Sequence, residues 1–275
     1  MEKHQIVDKT KTKKTLSSSQ VFNNKMNLVT RNVKVQIKTA KGRKLSSSLW
    51  IQRHLNDQFC QAAQVEGFIS RAAYKLIEIQ DKYKIFREGM NVVDLGAAPG
   101  SWMQVIWKKI RNKHAKLIGI DLLPIEFKDY ITADKLQDNI SFIEGSFLDE
   151  EVVNQMITIL DGNKPDVITS DMAANTTGIK IVEHLSIMNL LEAADRFADE
   201  YLKDGGHLVL KIFQGEEQNT FFTALKRKYK KVLFFKPKAS RKDSAEVYIV
   251  AMGKNPAKPK SEPAVKPAEN DNIDA

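Results

Sequence analysis

The stretch Met90-Asn91-Val92-Val93-Asp94-Leu95-Gly96-Ala97-Ala98-Pro99-Gly100-Ser101-Trp102 reads as a short apolar strand that ends in glycine and turns into a helix. Gly96 lets the backbone approach a ligand closely, and Gly100 allows a sharp entry to the helix. The plainer reading makes Gly96 a strand-to-helix turn and nothing more. What flanks the stretch decides between them.

Working outward, strands and helices alternate. Upstream, Trp50 to about Val65 reads as one helix with Ser48 as cap, and Ser70 to Tyr83 as a second with Ser70 as N-cap. Downstream, a helix from Ser101 to about Arg111 precedes strands at 115–122 and 140–145. Glu150–Leu160 is helical and 166–171 is the fourth strand. Val182–Lys203 is a long helix closed by Asp204-Gly205-Gly206. A fifth strand (207–213), a helix (Glu217–Tyr229) and two more strands (231–235, 246–253) complete the order. Strands spaced by helices predict βαβ units and a mostly parallel sheet. The last two strands are joined by a loop too short for a parallel crossover, so the final strand is expected to insert antiparallel.

Ligands of such sheets collect at the carboxyl ends of the strands. The first loop is not G-x-G-x-x-G. The middle glycine is absent, and Pro99 removes an N–H that a pyrophosphate would want. Asp121 ends the second strand 25 residues after Gly96, near the spacing at which an acid holds a ribose diol. A nucleoside without a diphosphate fits better than NAD, and S-adenosylmethionine (SAM) fits both observations. Asp121 read as a mere helix cap is the competing view.

Three ionisable residues lie at strand positions in apolar company: Asp171 after the fourth strand, Lys211 within HLVLKIF, and Glu246 opening the last. Lys is rarely buried unless paired. Burial or a second cation favours the neutral amine, and such a lysine could take a proton from a hydroxyl. A structural Lys–Asp bridge or a snorkelling head group explains the pattern equally. On spacing alone, Lys75 is a surface lysine one turn after Arg71. The five His show no ligand spacing, so no metal is expected. There is no nucleophile elbow, no P-loop and no Asn-Pro-Pro-Tyr after the fourth strand.

The chain has 275 residues, 43 Lys+Arg, 34 Asp+Glu and one Cys. The lone Cys60 excludes a disulfide framework and a Cys-based zinc site. No apolar run approaches the roughly 18 residues of a membrane span. Residues 1–48 hold 12 Lys/Arg and two acids, whereas 49–253 hold 27 bases and 28 acids. The basicity therefore belongs to an arm, expected to be largely disordered and to contact a polyanion. A transit peptide would favour Arg and an amphipathic helix, which the arm lacks. Residues 254–275, with four of the eight prolines, are expected to form an extended tail. A cytoplasmic monomer is expected. Basic clusters at Lys226–Lys231 and Lys236–Lys242 adjoin the last strands. The first suits a solvated face, while the second leads into Glu246.

SRAAYKL (70–76), VVDLGAAPGSW (92–102), IDLLP (120–124), SDMAAN (170–175), VLKIFQG (209–215) and SRKDSAEVYIVA (240–251) together resemble, in order, the motifs of the FtsJ/RrmJ heat-shock methyltransferases. The resemblance spans about residues 45–253. It implies an α/β, Rossmann-like SAM-dependent methyltransferase fold, a seven-stranded sheet with the last strand antiparallel. It also implies methylation of a uridine ribose 2′-hydroxyl in large-subunit ribosomal RNA, on the assembled subunit, without metal. The implied catalytic set is Lys75, Asp171, Lys211 and Glu246. The implied donor contacts are Gly96, Gly100, Trp102, Asp121, Ser146 and Asp171. Ser146 stands where the family usually has Asp, with Asp149 nearby as a substitute, and Ala174 stands where many members have Pro. The same four catalytic residues serve relatives acting on transfer RNA or caps, and a non-catalytic assembly factor could keep the fold.

Overall fold

A computed structural model describes residues 45–125, 137–173, 180–215, 217–241 and 243–256. The elements run α1 (Leu45–Leu55), α2 (Gln58–Glu66), α3 (Ala72–Tyr83), β1 (Asn91–Leu95), α4 (Ser101–Ile110), β2 (Lys116–Asp121), β3 (Ile140–Glu144), α5 (Glu150–Ile159), β4 (Val167–Ser170), α6 (Lys180–Tyr201), β5 (His207–Phe213), α7 (Glu217–Lys228), β6 (Tyr229–Phe235) and β7 (Glu246–Lys254). The strands form one sheet in the order β3-β2-β1-β4-β5-β7-β6. β1 pairs in parallel with β2 and β4, β2 with β3, and β4 with β5. β7 inserts between β5 and β6 and runs antiparallel to both, as its short connection predicts.

Alternation along the strands assigns each side chain to a face. Val93, Leu95, Ile118, Ile120, Leu208, Leu210, Ile249 and Ala251 pack under α5, α6 and α7. Val92, Leu117, Val209, Tyr248 and Val250 pack under α3 and α4. Each face is therefore covered by helices, which explains the near-continuous apolar strands.

Three readings of the sequence need correction. The helix expected over Trp50–Val65 is two helices. Asp57 breaks it, because its carboxylate accepts the N–H groups of Phe59 (2.9 Å) and Cys60 (3.3 Å) and so caps α2. The arm drawn to residue 48 ends earlier, since α1 begins at Leu45; residues 1–44 lie outside the described residues. The tail drawn from 254 begins later. Lys254 belongs to β7, and its buried Nζ donates to the carbonyls of Ala198 (2.9 Å), Asp199 (2.6 Å) and Leu202 (2.9 Å) at the end of α6. The tail beyond 256, with Ala174 and Asn175, also lies outside the described residues. Among the described residues, no helix is long and apolar enough to cross a membrane.

Candidate active site

Strand register brings the polar groups together. Lys211 lies opposite Tyr248 and Phe213 opposite Glu246 across the β5–β7 pair. By alternation Lys211, Glu246 and Tyr248 share the sheet face covered by α3, and α3 carries Lys75. Asp171 follows the last residue of β4, next to β5.

The four ionisable side chains form a continuous chain. Lys75 Nζ donates to Glu246 Oε2 at 2.8 Å and lies 3.6 Å from Asp171 Oδ2. Lys211 Nζ lies 3.0 Å from Asp171 Oδ1 and also donates to the Asp171 carbonyl. The Lys211 side chain is only 7% exposed, and the other three are half-buried. Asp171 thus bridges two ammonium groups. Two cations and two carboxylates compensate each other, which is what allows charge this far from water.

Two partners of this chain were not singled out from the sequence. The Tyr248 hydroxyl donates to Asp171 Oδ1 at 2.7 Å, and Lys75 Nζ lies 5.8 Å from its ring centroid. Burial, with Asp171 and Glu246 adding negative charge, holds the Tyr248 phenol well above its ordinary titration range, so it remains a donor. Ser240 Oγ donates to Glu246 Oε1 at 2.8 Å. A tyrosine in an apolar strand reads as core, and a serine in a basic loop reads as surface. Only the register and the loop's path reveal them.

Of the predicted donor residues, Gly96, Gly100 and Trp102 follow β1, Asp121 ends β2, Ser146 follows β3 and Asp171 follows β4. Asp121 accepts the N–H groups of Ala98 (2.8 Å) and Leu123 (2.9 Å), so it fixes the 96–100 loop. A carboxylate has about four acceptor sites, and two remain. Gly100 opens α4 at φ +98°, a conformation that favours glycine. What approaches Gly96 here is protein: a Cβ there would come within 2.1 Å of Met172 Cγ, and its φ is +72°. Trp102 is buried, its indole N–H given to Ala72 O (3.0 Å) and its ring 5.7 Å from Tyr248. Its side chain is therefore structural, and only its backbone N–H in the first turn of α4 is offered to a ligand. Ser146 Oγ accepts the Leu148 N–H at 3.2 Å, which leaves its own hydrogen to give. Asp149 is exposed at the N-cap of α5, without a side-chain capping bond.

In the sequence Asp94 is one residue of an apolar strand, with nothing to mark it. It is fully buried and accepts the Thr169 hydroxyl at 2.6 Å. Burial, reinforced by Asp171 and Asp121, pushes its carboxyl up to about 8. Among the described residues, no three His, Cys, Asp or Glu side chains group as a metal would require.

A doubly wound sheet in this order, with its antiparallel strand next to the edge and its polar groups at the carboxyl ends, defines a Rossmann-like methyltransferase. The model of the FtsJ-like methyltransferases matches residues 68–254, and the chain belongs to that family. Relatives named ribosomal RNA large subunit methyltransferase E include one from Rickettsia akari, 44% identical over 82% of this chain and 96% of its own. One from Azorhizobium caulinodans is 45% identical over 81% of this chain and 90% of its own. A solved structure from Plasmodium falciparum, described as a ribosomal RNA methyltransferase, is 32% identical with a TM-score of 0.58 over 68% of this chain and 98% of that one. The chain is thus an enzyme of the methyltransferase class.

Proposed function

We propose that the protein methylates a uridine ribose 2′-hydroxyl in the large-subunit ribosomal RNA, on the assembled subunit, with SAM as donor. The Lys75–Glu246 and Asp171–Lys211 pairs, meeting at the ends of β4, β5 and β7, carry this reading. The names of the relatives support ribosomal RNA as the substrate class.

The donor site fits. Asp121 has acceptor capacity for a ribose diol, and Ser146 has a hydroxyl for an exocyclic amine. Leu122, Leu123 and Leu148 are 71, 65 and 64% exposed beside them, an apolar wall for a nucleobase. When bound, SAM supplies an electrophilic methyl on a sulfonium that leaves as a neutral thioether. Gly96, Gly100 and the Trp102 N–H complete the rim, and the Asp171 carboxylate suits a cationic donor. Asp171 holds Lys211 through its carbonyl and one carboxylate oxygen. An ammonium has three donors, so one direction at Nζ is left for the acceptor hydroxyl. Lys211 orients that hydroxyl; once its third proton has passed to water, the lone pair left on Nζ takes the hydroxyl proton as the new O–C bond forms and the thioether leaves. Lys75, pinned by Glu246, holds Asp171 from the other side. Alignment of the two reactants supplies much of the rate.

The basic arm of residues 1–44 clamps the ribosomal RNA, and the site of action is the cytoplasm, where ribosomes are found. The test is transfer of labelled methyl from SAM to hypomethylated large subunits, with Lys211→Ala and with purified transfer RNA in parallel. Expected is transfer to subunits only, lost in the variant, at one position resistant to alkaline cleavage. Transfer to transfer RNA instead replaces the substrate. Subunit binding without transfer makes the protein an assembly factor.

A further inference from the structure

Glu246 is held from more than one side. Lys75 reaches Oε2, Ser240 Oγ reaches Oε1 at 2.8 Å, and its own backbone N–H donates to Ser244 Oγ at 3.1 Å. Ser240 is 5% exposed although it lies in the loop between β6 and β7. That loop is latched to α3. The Arg71 guanidinium donates to Ala239 O and pairs with the Asp57 carboxylate. The Glu78 carboxylate accepts the N–H groups of Lys238 and Ala239, each at 2.8 Å. A Ser240 N–H to Pro237 O bond of 3.0 Å closes the turn. Arg71 at the N-cap of α3, Lys75 and Glu78 recur at i, i+4 and i+7, and the helical backbone of Arg71 sets all three on one face. One helix face therefore carries the cation that binds Glu246 and both groups that fix the backbone carrying Ser240.

A surface loop is ordinarily mobile, and a serine hydroxyl on it would wander. This one is buried and fixed on both sides. We infer that Ser240 is a positioning residue for the Lys75–Glu246 pair, and that Arg71 and Glu78 serve the site by keeping its hydroxyl aimed at Oε1. The inference rests on the reading of Lys75, Asp171, Lys211 and Glu246 as the catalytic set. Without the hydroxyl, the Glu246 carboxylate loses a fixed donor and gains freedom to rotate. Lys75 then loses its fixed distance from Asp171. The effect falls on the chemical step, because the Ser240 hydroxyl bonds Glu246, whereas Asp121 and Ser146 at the donor site are held by backbone N–H groups of the loops there.

The experiment uses the full chain, SAM and hypomethylated large subunits, comparing wild type, Ser240→Ala and Ser240→Thr. Losing one hydrogen bond to a charged group lowers kcat about tenfold. The Kd for SAM and the KM for subunits stay within about twofold. Ser240→Thr, which keeps the hydroxyl, regains most of the rate. A Ser240→Ala enzyme that turns over like wild type overturns the inference. So does a loss confined to KM, or a threonine variant as slow as the alanine one at an unchanged thermal midpoint. If the alanine variant does not fold, Ser240→Cys, of similar shape and weaker as a donor, takes its place with the same outcomes. Silence of the wild type on every RNA tested overturns the catalytic reading instead, so the two failures are distinguishable.

Discussion

Asp94 is a carboxyl group that the fold keeps protonated. Its folded-state value of about 8 stands above the 3.8 of an exposed aspartate, because burial outweighs the Thr169 hydrogen bond. Below pH ~4 both folded and unfolded states hold the proton. Between ~4 and ~8 the unfolded chain releases it and the folded one does not, so stability falls as pH rises through that window. Asn mimics the neutral acid and can still accept from Thr169. Asp94→Asn should therefore flatten the decline in thermal midpoint between pH 5 and 8; parallel slopes for the two proteins would contradict the buried-acid account. Gly96 makes a second residue-scale case. Ala there must adopt φ +72°, costing about 1–2 kcal/mol, and must displace Met172. Gly96→Ala should lower the thermal midpoint and weaken SAM binding, and adding Met172→Ala should recover part of both. If the double variant behaves like the single, the clash with Met172 is not the cause. What a sequence reveals at this scale is uneven for a physical reason. Lys211 and Glu246 stand out because charge in an apolar strand violates the local pattern. Lys75 does not, because a lysine on a helix violates nothing, and its partner is 171 residues away.

At the scale of elements, periodicity places all seven strands and most helices within a few residues, because burial on both faces leaves long apolar runs. Errors fall where one polar side chain makes a local bond that no period records. Asp57 ends one helix and starts another; Lys254 extends a strand to close a helix. At the end of α6 the Lys254 ammonium meets three carbonyls, and its positive charge suits the helix dipole. Lys254→Met keeps the apolar stem and removes the donors. It should cost about 2 kcal/mol, read as a lower denaturant midpoint at constant m-value. A midpoint unchanged within error would mean that water caps α6 as well as lysine does. Methyl transfer should be unaffected, since Lys254 ends β7 at the opposite end from Glu246.

For the molecule as a whole, charge separates two tasks. Residues 1–48 hold 12 Lys/Arg against two acids, while 49–253 are nearly balanced at 27 bases and 28 acids. The folded body builds a site from paired charges, which presents little net field to a polyanion. On the proposed function, long-range attraction to RNA comes chiefly from the arm, where cations outnumber acids, because cations meeting phosphates release counterions. If so, binding to large subunits by the full chain weakens steeply with salt, by a slope of about 0.7–0.9 per phosphate neutralised. Removal of residues 1–44, which leaves α1 intact from Leu45, should lower subunit affinity at low salt and flatten that slope. SAM affinity and the thermal midpoint should stay as they are, because all described contacts of the site lie within the body. Titration of both forms with large subunits at several salt concentrations measures the slopes directly. Equal slopes would assign the RNA contact to the body, and the exposed cations Lys236, Lys238 and Arg241 beside Glu246 would be next to remove.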